Sequence, residues 1–316
     1  MTVTLGALSV GPVAARAVSA PGVSIRLHSI FPSTVNLSIE GSDILVAMTG
    51  PSGKFFPHAV ALEHAVSFPE LPLAAGDFGR VSAHGILIHG QRGRLVVTLD
   101  TACRTAARAL PPITRRAAAW RACARWLDGF QSRASCHLRM SALLSEPGSA
   151  AEASSCGVCG DRVPAAFQLS TQELIRAARA LVHATVGDAG GEAALSDAVS
   201  SLVGAGQGLT PSGDDFLSGF MAALRACGSP ALASAVAGAI QKNLALTGDI
   251  SASLLRCAVE GFWLDPLLDL ACALAADNTR SALHSLESLC GLGHSSGADI
   301  ASGLLLGVAS LLKDCA

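Results

Sequence analysis

Tyrosine is absent from this chain of 316 residues, aromatic residues make up only 4% of it and charged residues only 15%. Half of the residues are apolar, so the scarcity of charge excludes an intrinsically disordered chain and indicates a compact core. The formal net charge of −2 gives no electrostatic case for nucleic acid as a partner. A chain of this length can form one large core or two domains of ordinary size.

Long apolar runs are also lacking. No segment reaches the roughly 18–20 residues that a membrane-spanning helix needs, so we expect no membrane partner. Residues 1–22 lack the basic start and apolar core of a signal peptide. The ten cysteines are scattered through helical-looking segments of a chain too large to need disulfide stapling. These features predict a cytoplasmic protein with free thiols.

Recognised catalytic fingerprints are missing as well. The chain has no serine nucleophile elbow and no nucleotide-binding glycine fingerprint, which argues against hydrolases and kinases. The pair Cys156-x-x-Cys159 has no second pair of ligands at zinc spacing, and the histidines of the first hundred residues show no ligand spacing either. We therefore predict no zinc site.

The two ends of the chain differ in periodicity, which predicts an α+β protein. Residues 1–100 form a β-rich domain of short Val-, Ile- and Leu-rich segments between turn residues, typical of a small sheet or barrel. Residues 169–316 form an α-helical domain with Ala and Leu on several helix faces, which predicts a bundle. Between them, residues 101–168 form a helical connector (115–130) with a flexible insertion (146–165). The predicted strands are 23–27, 35–39, 44–49, 81–88 and 94–99, and the later predicted helices are 171–186, 192–203, 212–227, 230–245, 251–262, 266–276, 279–290 and 297–313.

The most informative stretch, residues 204–219, reads Gly-Ala-Gly-Gln-Gly-Leu-Thr-Pro-Ser-Gly-Asp-Asp-Phe-Leu-Ser-Gly. Its alternating glycines allow positive φ or a close approach of another group. A helix start with Pro follows, and Asp214 and Asp215 lie in its first turn. Free N–H groups, hydroxyls and carboxylates would converge there, which predicts a site for a small anionic metabolite. The structural alternative is a capping box from Ser212 to Asp215, with acids that favour the helix dipole.

A second stretch repeats this spacing 84 residues later, counted from Ser212 to Ser296. The pattern Ser212-Gly-x-Asp-x-x-x-Gly219 is matched by Ser296-Gly-x-Asp-x-x-x-Gly303. In both, a glycine follows the aspartate by one helical turn, where it lets another backbone or a ligand approach the helix. A third polar helix start runs from Thr247 to Ser251. We expect the first two helix starts to face each other across one pocket.

Together these motifs resemble the AllH family, which was long catalogued as a domain of unknown function. The resemblance rests on Gly206-x-Gly208-Leu-Thr-Pro-Ser-Gly-Asp-Asp215, on Thr247…Ser251 and on Gly293-His-Ser-Ser-Gly-x-Asp299. It is specific over about residues 170–316, weak over the first hundred, and does not extend to 131–165. The family's named member is one subunit of a multi-subunit oxamate carbamoyltransferase of anaerobic allantoin breakdown, which converts oxalurate and phosphate to oxamate and carbamoyl phosphate. The resemblance implies a carbamoyltransferase subunit whose partners are the other subunits.

The chemistry of that reaction suggests roles for the motif residues. Backbone N–H groups at a helix N-terminus can hold a phosphate and polarise a carbonyl. Asp215 and His294 are the candidate catalytic residues, with His294 as general acid or base. A carboxylate beside an anion is explained if it binds a bridging cation such as Mg²⁺, or accepts a hydrogen bond from a substrate amide. The candidate substrate-binding residues are Gly206, Gly208, Thr210, Ser212, Gly213, Asp214, Thr247, Ser251, Ser295, Ser296 and Asp299.

Two other functions stay open. The chain could be a non-catalytic subunit that binds a metabolite or assembles a complex, with its alanine-rich helices buried against a partner. It could also act alone on another small phosphorylated or acyl metabolite. For His294, the structural alternative is a helix-entry residue that is satisfied by a backbone carbonyl.

Overall fold

The structure of the chain is a computed structural model. The residues that it describes are 1–133, 138–144, 171–186 and 191–312. The predicted insertion at 146–165, with its Cys156-x-x-Cys159 pair, lies outside them. The chain divides into two compact units, which are Met1–Arg108 with Phe262–Asp265, and Ala109–Gly261 with Pro266–Ala316.

The first unit is a β-barrel, which confirms the predicted α+β class. Its strands are β1 (Thr2–Val10), β2 (Ser24–Ile30), β3 (Thr34–Ile39), β4 (Val46–Thr49), β5 (Ala59–Leu62), β6 (Phe78–Ser82), β7 (Gly85–Gly90), β8 (Gly93–Thr98) and β9 (Cys103–Arg104), with a short helix α1 (Pro12–Ala17) after β1. They pair in the order β5-β4-β3-β2-β6-β7-β8-β1-β9, and an additional pairing of β5 with β1 closes the barrel. Closure pairs strands that would otherwise be open edges of the sheet.

Alternate residues of the strands fill the barrel interior. Ile86 and Ile88 of β7 are fully buried and lie opposite Val97 and Leu95 of β8, which are also fully buried. The buried side chains of β2, β3 and β4 join the same apolar cluster. The core of this unit is therefore made of packed side chains.

The predicted strand at 81–88 is wrong as a single element, because it crosses a tight turn between β6 and β7. The Ser82 hydroxyl donates to the carbonyl of Gly85 across that turn. Gly85 has a φ of +153°, and a Cβ there would lie 1.9 Å from the carbonyl oxygen of Val97. The sequence prediction also left out β1, β5 and β9, of which β5 and β9 have only four and two residues.

The second half of the chain is helical, as predicted. Its helices are α2 (Ala118–Arg133), α3 (Met140–Leu144), α4 (Thr171–Val186), α5 (Gly191–Leu202), α6 (Ser212–Ala226), α7 (Pro230–Asn243), α8 (Asp249–Glu260), α9 (Asp265–Ala275), α10 (Thr279–Cys290) and α11 (Ser296–Leu311). Among the described residues, no helix is both long and apolar enough to cross a membrane. The cysteines that the structure describes as free thiols are Cys103, Cys123, Cys227, Cys257, Cys272 and Cys290.

The helices α6 and α11 lie at the centre of the helical unit and approach each other closely. A Cβ on Gly219 would lie 1.9 Å from the carbonyl oxygen of Ile300, and a Cβ on Gly303 would lie 2.0 Å from that of Phe216. Gly219 and Gly303 occupy corresponding positions of the two repeats, and so do Phe216 and Ile300. The two contacts are therefore equivalent, which relates the two helices by an approximate two-fold axis. The expectation that these glycines let another backbone approach is confirmed. The crossing also brings together the N-terminal ends of the two helices.

Candidate functional site

The starts of α6 and α11 lie side by side. Thr210 Oγ, just before α6, is 2.8 Å from Oγ of Ser296, the first residue of α11, and the two hydroxyls form a hydrogen bond. Below this contact, each helix start packs on the end of the preceding helix at a glycine. A Cβ on Gly213 would lie 2.1 Å from the carbonyl oxygen of Leu202, and a Cβ on Gly297 would also overlap backbone. The structure therefore brings the two repeated motifs into one place.

The glycines of the loop before α6 serve its backbone conformation. Gly204, Gly206 and Gly208 all have positive φ, at +75°, +123° and +93°. A Cβ on Gly206 would also lie 2.6 Å from the amide nitrogen of Ser212, whereas nothing lies within 4 Å of a Cβ on Gly208. Of the two glycines of this loop that were predicted to bind substrate, Gly206 is confined by the fold of the loop and Gly208 is exposed.

Asp214 connects this loop to the third polar helix start. Its Oδ1 accepts a hydrogen bond of 2.8 Å from the amide of Gly204. Its Oδ2 accepts hydrogen bonds from the hydroxyls of Thr247 (2.5 Å) and Ser251 (2.6 Å) at the start of α8. Asp214 is only 2% exposed, and burial raises its pKa while the three donors oppose that shift. These predicted substrate-binding groups therefore use their hydrogen bonds on one another.

Asp215 and Asp299 have a different environment from Asp214. They are 4% and 0% exposed, yet Oδ2 of Asp215 and both carboxylate oxygens of Asp299 have no hydrogen-bond partner among the described residues. Buried carboxylate oxygens without donors are rare and energetically costly, so each such group requires an explanation. These three oxygens are the acceptors that the site leaves unpaired.

Serines from opposite repeats lie beside the two aspartates. The hydroxyl of Ser296, from the second repeat, favours the ionised form of Asp215. The hydroxyl of Ser212, from the first repeat, does the same for Asp299, and Ser295 adds to it. The hydroxyls of Ser212 and Ser295 act on the pKa of Asp299, but neither makes a hydrogen bond of good geometry to its oxygens. Each aspartate thus has a serine of the other repeat beside it, which agrees with the approximate two-fold relation of α6 and α11 at their crossing.

Burial dominates the electrostatics of the pair. It raises the pKa of Asp215 well above the usual range for aspartate; the Ser296 hydroxyl opposes this shift, while the charges of Asp299 and Asp214 add to it. Burial also raises the pKa of Asp299 to about 7, against the Ser212 and Ser295 hydroxyls. Burial therefore raises the pKa of both carboxyl groups and favours their protonated forms.

The backbone amides at the two helix starts are already used within the chain. The donors that bond to main-chain carbonyls are the amides of Gly213, Asp214, Asp215, Gly297 and Asp299. Pro211 is the N-cap of α6 and Ser295 that of α11, and neither provides a side-chain cap within the part of the chain described. The capping-box alternative for Ser212 is thus not realised. A phosphate at these starts would also find five amides engaged elsewhere.

His294 and the possible metal ligands complete the site. His294 lies in the turn before α11 with its side chain exposed. Within the described ranges, no group of three or more His, Cys, Asp or Glu side chains is placed to hold a metal ion. The acids that the sequence suggested for Mg²⁺ thus comprise one satisfied residue, Asp214, and the unpaired Asp215 and Asp299.

Sequence reasoning missed a buried amide behind the second helix start. Gln131 of α2 donates from Nε2 to Oγ of Ser302 (2.7 Å) and to the carbonyl of Leu138 (2.6 Å). Ser302 follows Asp299 by three residues on α11, and both side chains are fully buried. A lone glutamine in an amphipathic helix gives no signal for such a contact. It attaches α2 and the 138–140 segment to the helix that carries Asp299.

A comparison with protein families bears on this part of the chain. Residues 202–308 match the family model described as oxamate carbamoyltransferase subunit AllH. The matched segment contains both repeated motifs and the start of α8, and it excludes the barrel. The resemblance to AllH that the motifs suggested is confirmed over these residues. No solved structure matches the chain.

Proposed function

We propose that this chain is a subunit of a carbamoyltransferase and that its ligand site lies where the starts of α6 and α11 meet. The observation that carries the proposal is the group of three unpaired, buried carboxylate oxygens at that place. They lie inside the segment that is similar to a subunit of oxamate carbamoyltransferase. A structural carboxylate finds its donors in the fold, as Asp214 does, whereas a binding carboxylate finds them in a ligand.

A protein that catalyses carbamoyl transfer between phosphate and an amide nitrogen must meet two requirements. The carbonyl oxygen of the carbamoyl group must be polarised, and the N–H groups must be oriented and kept from water. A buried carboxyl group that retains a proton can donate to the carbonyl, and a neighbouring carboxylate can accept from nitrogen. Asp215 and Asp299 are our candidates for these two tasks, with His294 as a general acid or base at the exposed side.

A non-catalytic binding or assembly subunit is the alternative. Leu209 in the loop before α6 and Leu246 before α8 are both 57% exposed. Exposed leucines on two segments that build the site are compatible with burial against another subunit. In that case the motifs shape an interface, and the chemistry takes place elsewhere in the complex.

Phosphate release from carbamoyl phosphate plus oxamate, with and without Mg²⁺, separates these possibilities. The purified chain is assayed alone and then mixed with the products of its neighbouring genes. We expect turnover in the mixture and a loss of about 100-fold or more in Asp215→Asn. The matched control is Asp197→Asn, because Asp197 is exposed on α5.

The outcomes differ in what they exclude. Turnover by the chain alone that disappears in Asp215→Asn makes it a self-sufficient enzyme. Full turnover by a mixture that contains Asp215→Asn supports the assembly role instead. Absence of turnover in every combination, with all chains folded, contradicts the carbamoyltransferase proposal.

A further inference from the structure

We propose that the Asp215–Asp299 pair binds the terminal –CO–NH₂ of a primary amide or ureido compound, and not the anionic end of the ligand. This inference rests on the proposed function and deepens it, since it names the group that this site recognises. It follows from which hydrogen-bonding groups the site has left to offer.

The first step is the excess of acceptors. Asp215 Oδ2 and the two oxygens of Asp299 are buried without a partner in the described structure. Each unsatisfied buried group of this kind costs about 1–3 kcal/mol, and more when it is charged. A ligand that supplies N–H donors removes that cost on binding. The unpaired oxygens therefore favour a ligand group with several N–H donors.

The second step excludes a phosphate or carboxylate as the group that the pair binds. Amides that would cradle an anion, including those of Gly213 and Asp215, already donate to main-chain carbonyls. Negative charge is already unfavourable there, since burial and the charges of Asp299 and Asp214 raise the pKa of Asp215. An anion placed there would meet repulsion without compensating donors. Any anionic part of the ligand must lie farther out.

The third step concerns the match between the pair and an amide. A primary amide has two N–H donors and one carbonyl acceptor. A carboxyl group that keeps its proton has one O–H donor beside an acceptor oxygen, and a second carboxyl group adds further acceptors. A protonated carboxyl and an amide can thus form two hydrogen bonds side by side, with the second carboxylate accepting the remaining N–H. A guanidinium or a metal ion binds ionised carboxylates, whereas burial raises the pKa of both aspartates.

The fourth step is the symmetry of the site. Ser212 lies beside Asp299 and Ser296 beside Asp215, so each aspartate has a serine of the other repeat as its neighbour. The two N–H bonds of an –NH₂ group are themselves related by a local two-fold axis. The repeat breaks its symmetry one residue earlier, where Asp214 corresponds to Ala298.

The test compares probes that differ only at the recognised group. Calorimetry measures binding of oxamate, N,N-dimethyloxamate and oxalate to the full chain, alone and in the reconstituted complex. Oxalate keeps the shape but replaces –NH₂, and the dimethyl compound removes both N–H donors. We expect oxamate to bind at least about 100-fold more tightly than either. N-carbamoylglycine, a ureido probe, should also bind.

Variants assign that preference to the pair. Asp299→Asn and Asp215→Asn should each weaken oxamate binding by about 10-fold or more, because an amide replaces a carboxylate acceptor. Asp197→Asn should bind as the unaltered chain does. Thermal unfolding of each variant shows whether it folds, and either aspartate variant suffices if the other does not.

Other results would overturn the inference. Equal affinity for oxalate and oxamate, tight inorganic phosphate binding, or preference for guanidinium or Mg²⁺ alone each contradicts it. So does the absence of oxamate and N-carbamoylglycine binding at millimolar concentration in both preparations. Amide binding without carbamoyl transfer would instead retain this inference and reject the proposed function, so the two can fail separately.

Discussion

The barrel and the helical unit bury polar groups in different ways. In the barrel, closure pairs the strands, and the buried polar residues Asn36, His58 and Asp77 come from different segments of the chain. In the helical unit, buried polar side chains gather where the starts of α6, α8 and α11 meet. A closed sheet satisfies its backbone from neighbouring strands, whereas helices leave unpaired groups at their ends. The difference explains why a ligand site is expected at helix starts and not in the barrel core.

The buried ionisable groups of the two units also respond oppositely to burial. Burial lowers the pKa of His58 to about 4, because it disfavours the charged imidazolium. Burial raises the pKa of Asp299 to about 7, because it disfavours the charged carboxylate. Burial therefore keeps His58 neutral between about pH 4 and 6.5 and keeps Asp299 neutral between about pH 3.8 and 7, ranges in which the free side chains would be charged.

The largest effect is expected where the helical unit depends on a contact that the barrel lacks, the backbone crossing of α6 and α11. In Gly219→Ala, the new Cβ would lie 1.9 Å from the carbonyl oxygen of Ile300, so the two helices must separate. We expect a loss of about 5 kcal/mol of unfolding free energy, at the upper end for single substitutions. Urea denaturation measures it.

Gly238→Ala is the matched control for this substitution. Gly238 lies within α7, and nothing lies within 4 Å of a Cβ placed there. Alanine should stabilise that helix by about 0.5–1 kcal/mol, because glycine loses more backbone entropy on folding. If Gly219→Ala were as stable as Gly238→Ala, the close crossing of α6 and α11 would be wrong.

The second prediction concerns the pH dependence of stability, which should differ in sign between Asp299 of the helical unit and His58 of the barrel. Asp299 keeps its proton in the folded chain up to about pH 7, whereas the unfolded chain loses it near 3.8. The folded state thus binds more protons between these values, and the stability that Asp299 contributes falls as the pH rises through this window. Asp299→Asn cannot ionise, so it should gain stability relative to the unaltered chain from pH 5 to pH 8. The gain should not exceed about 4 kcal/mol.

His58 should show the reverse behaviour on the acid side. Its folded pKa of about 4 lies below the usual histidine pKa of 6.5, so the folded state binds fewer protons between these values. Stability contributed by neutral His58 is present above pH 6.5 and is lost as the pH falls through about 4. His58→Gln should therefore gain relative stability on acidification by no more than about 3 kcal/mol. Denaturation of both variants from pH 4.5 to 8 checks the signs, and parallel curves would contradict them.

The α+β division and the helices could be predicted from local patterns, while the closure of the barrel could not. Helical periodicity over ten or more residues is a strong signal, and the helices from α4 to α11 were found within a few residues of their bounds. The pairing that closes the barrel joins Ser9 to Ala61, far apart in sequence, through the four-residue strand β5. A strand of that length carries little pattern.

The location of the site could be predicted from the sequence, but the different roles of its aspartates could not. The repeated Ser-Gly-x-Asp spacing indicated that two helix starts belong together. Asp214 and Asp215 are adjacent and of one type, so only the fold reveals that Asp214 is satisfied and Asp215 is not. The amides were expected to be free, but the carbonyls of Ala205 and Pro211 accept from them. Those contacts depend on loop conformation, which composition does not specify.

A smaller loss of stability than that of Gly219→Ala tests this difference between Asp214 and Asp215. Asp214→Ala leaves the Gly204 amide and the hydroxyls of Thr247 and Ser251 without their acceptor. Water can reach part of this exposed loop, so we expect a loss of about 2–3 kcal/mol in urea denaturation. Asp214→Asn keeps one acceptor oxygen and should lose less. Oδ2 of Asp215 has no hydrogen-bond partner among the described residues, so Asp215→Ala should lose less stability than Asp214→Ala. An equal loss would show that both aspartates are structural.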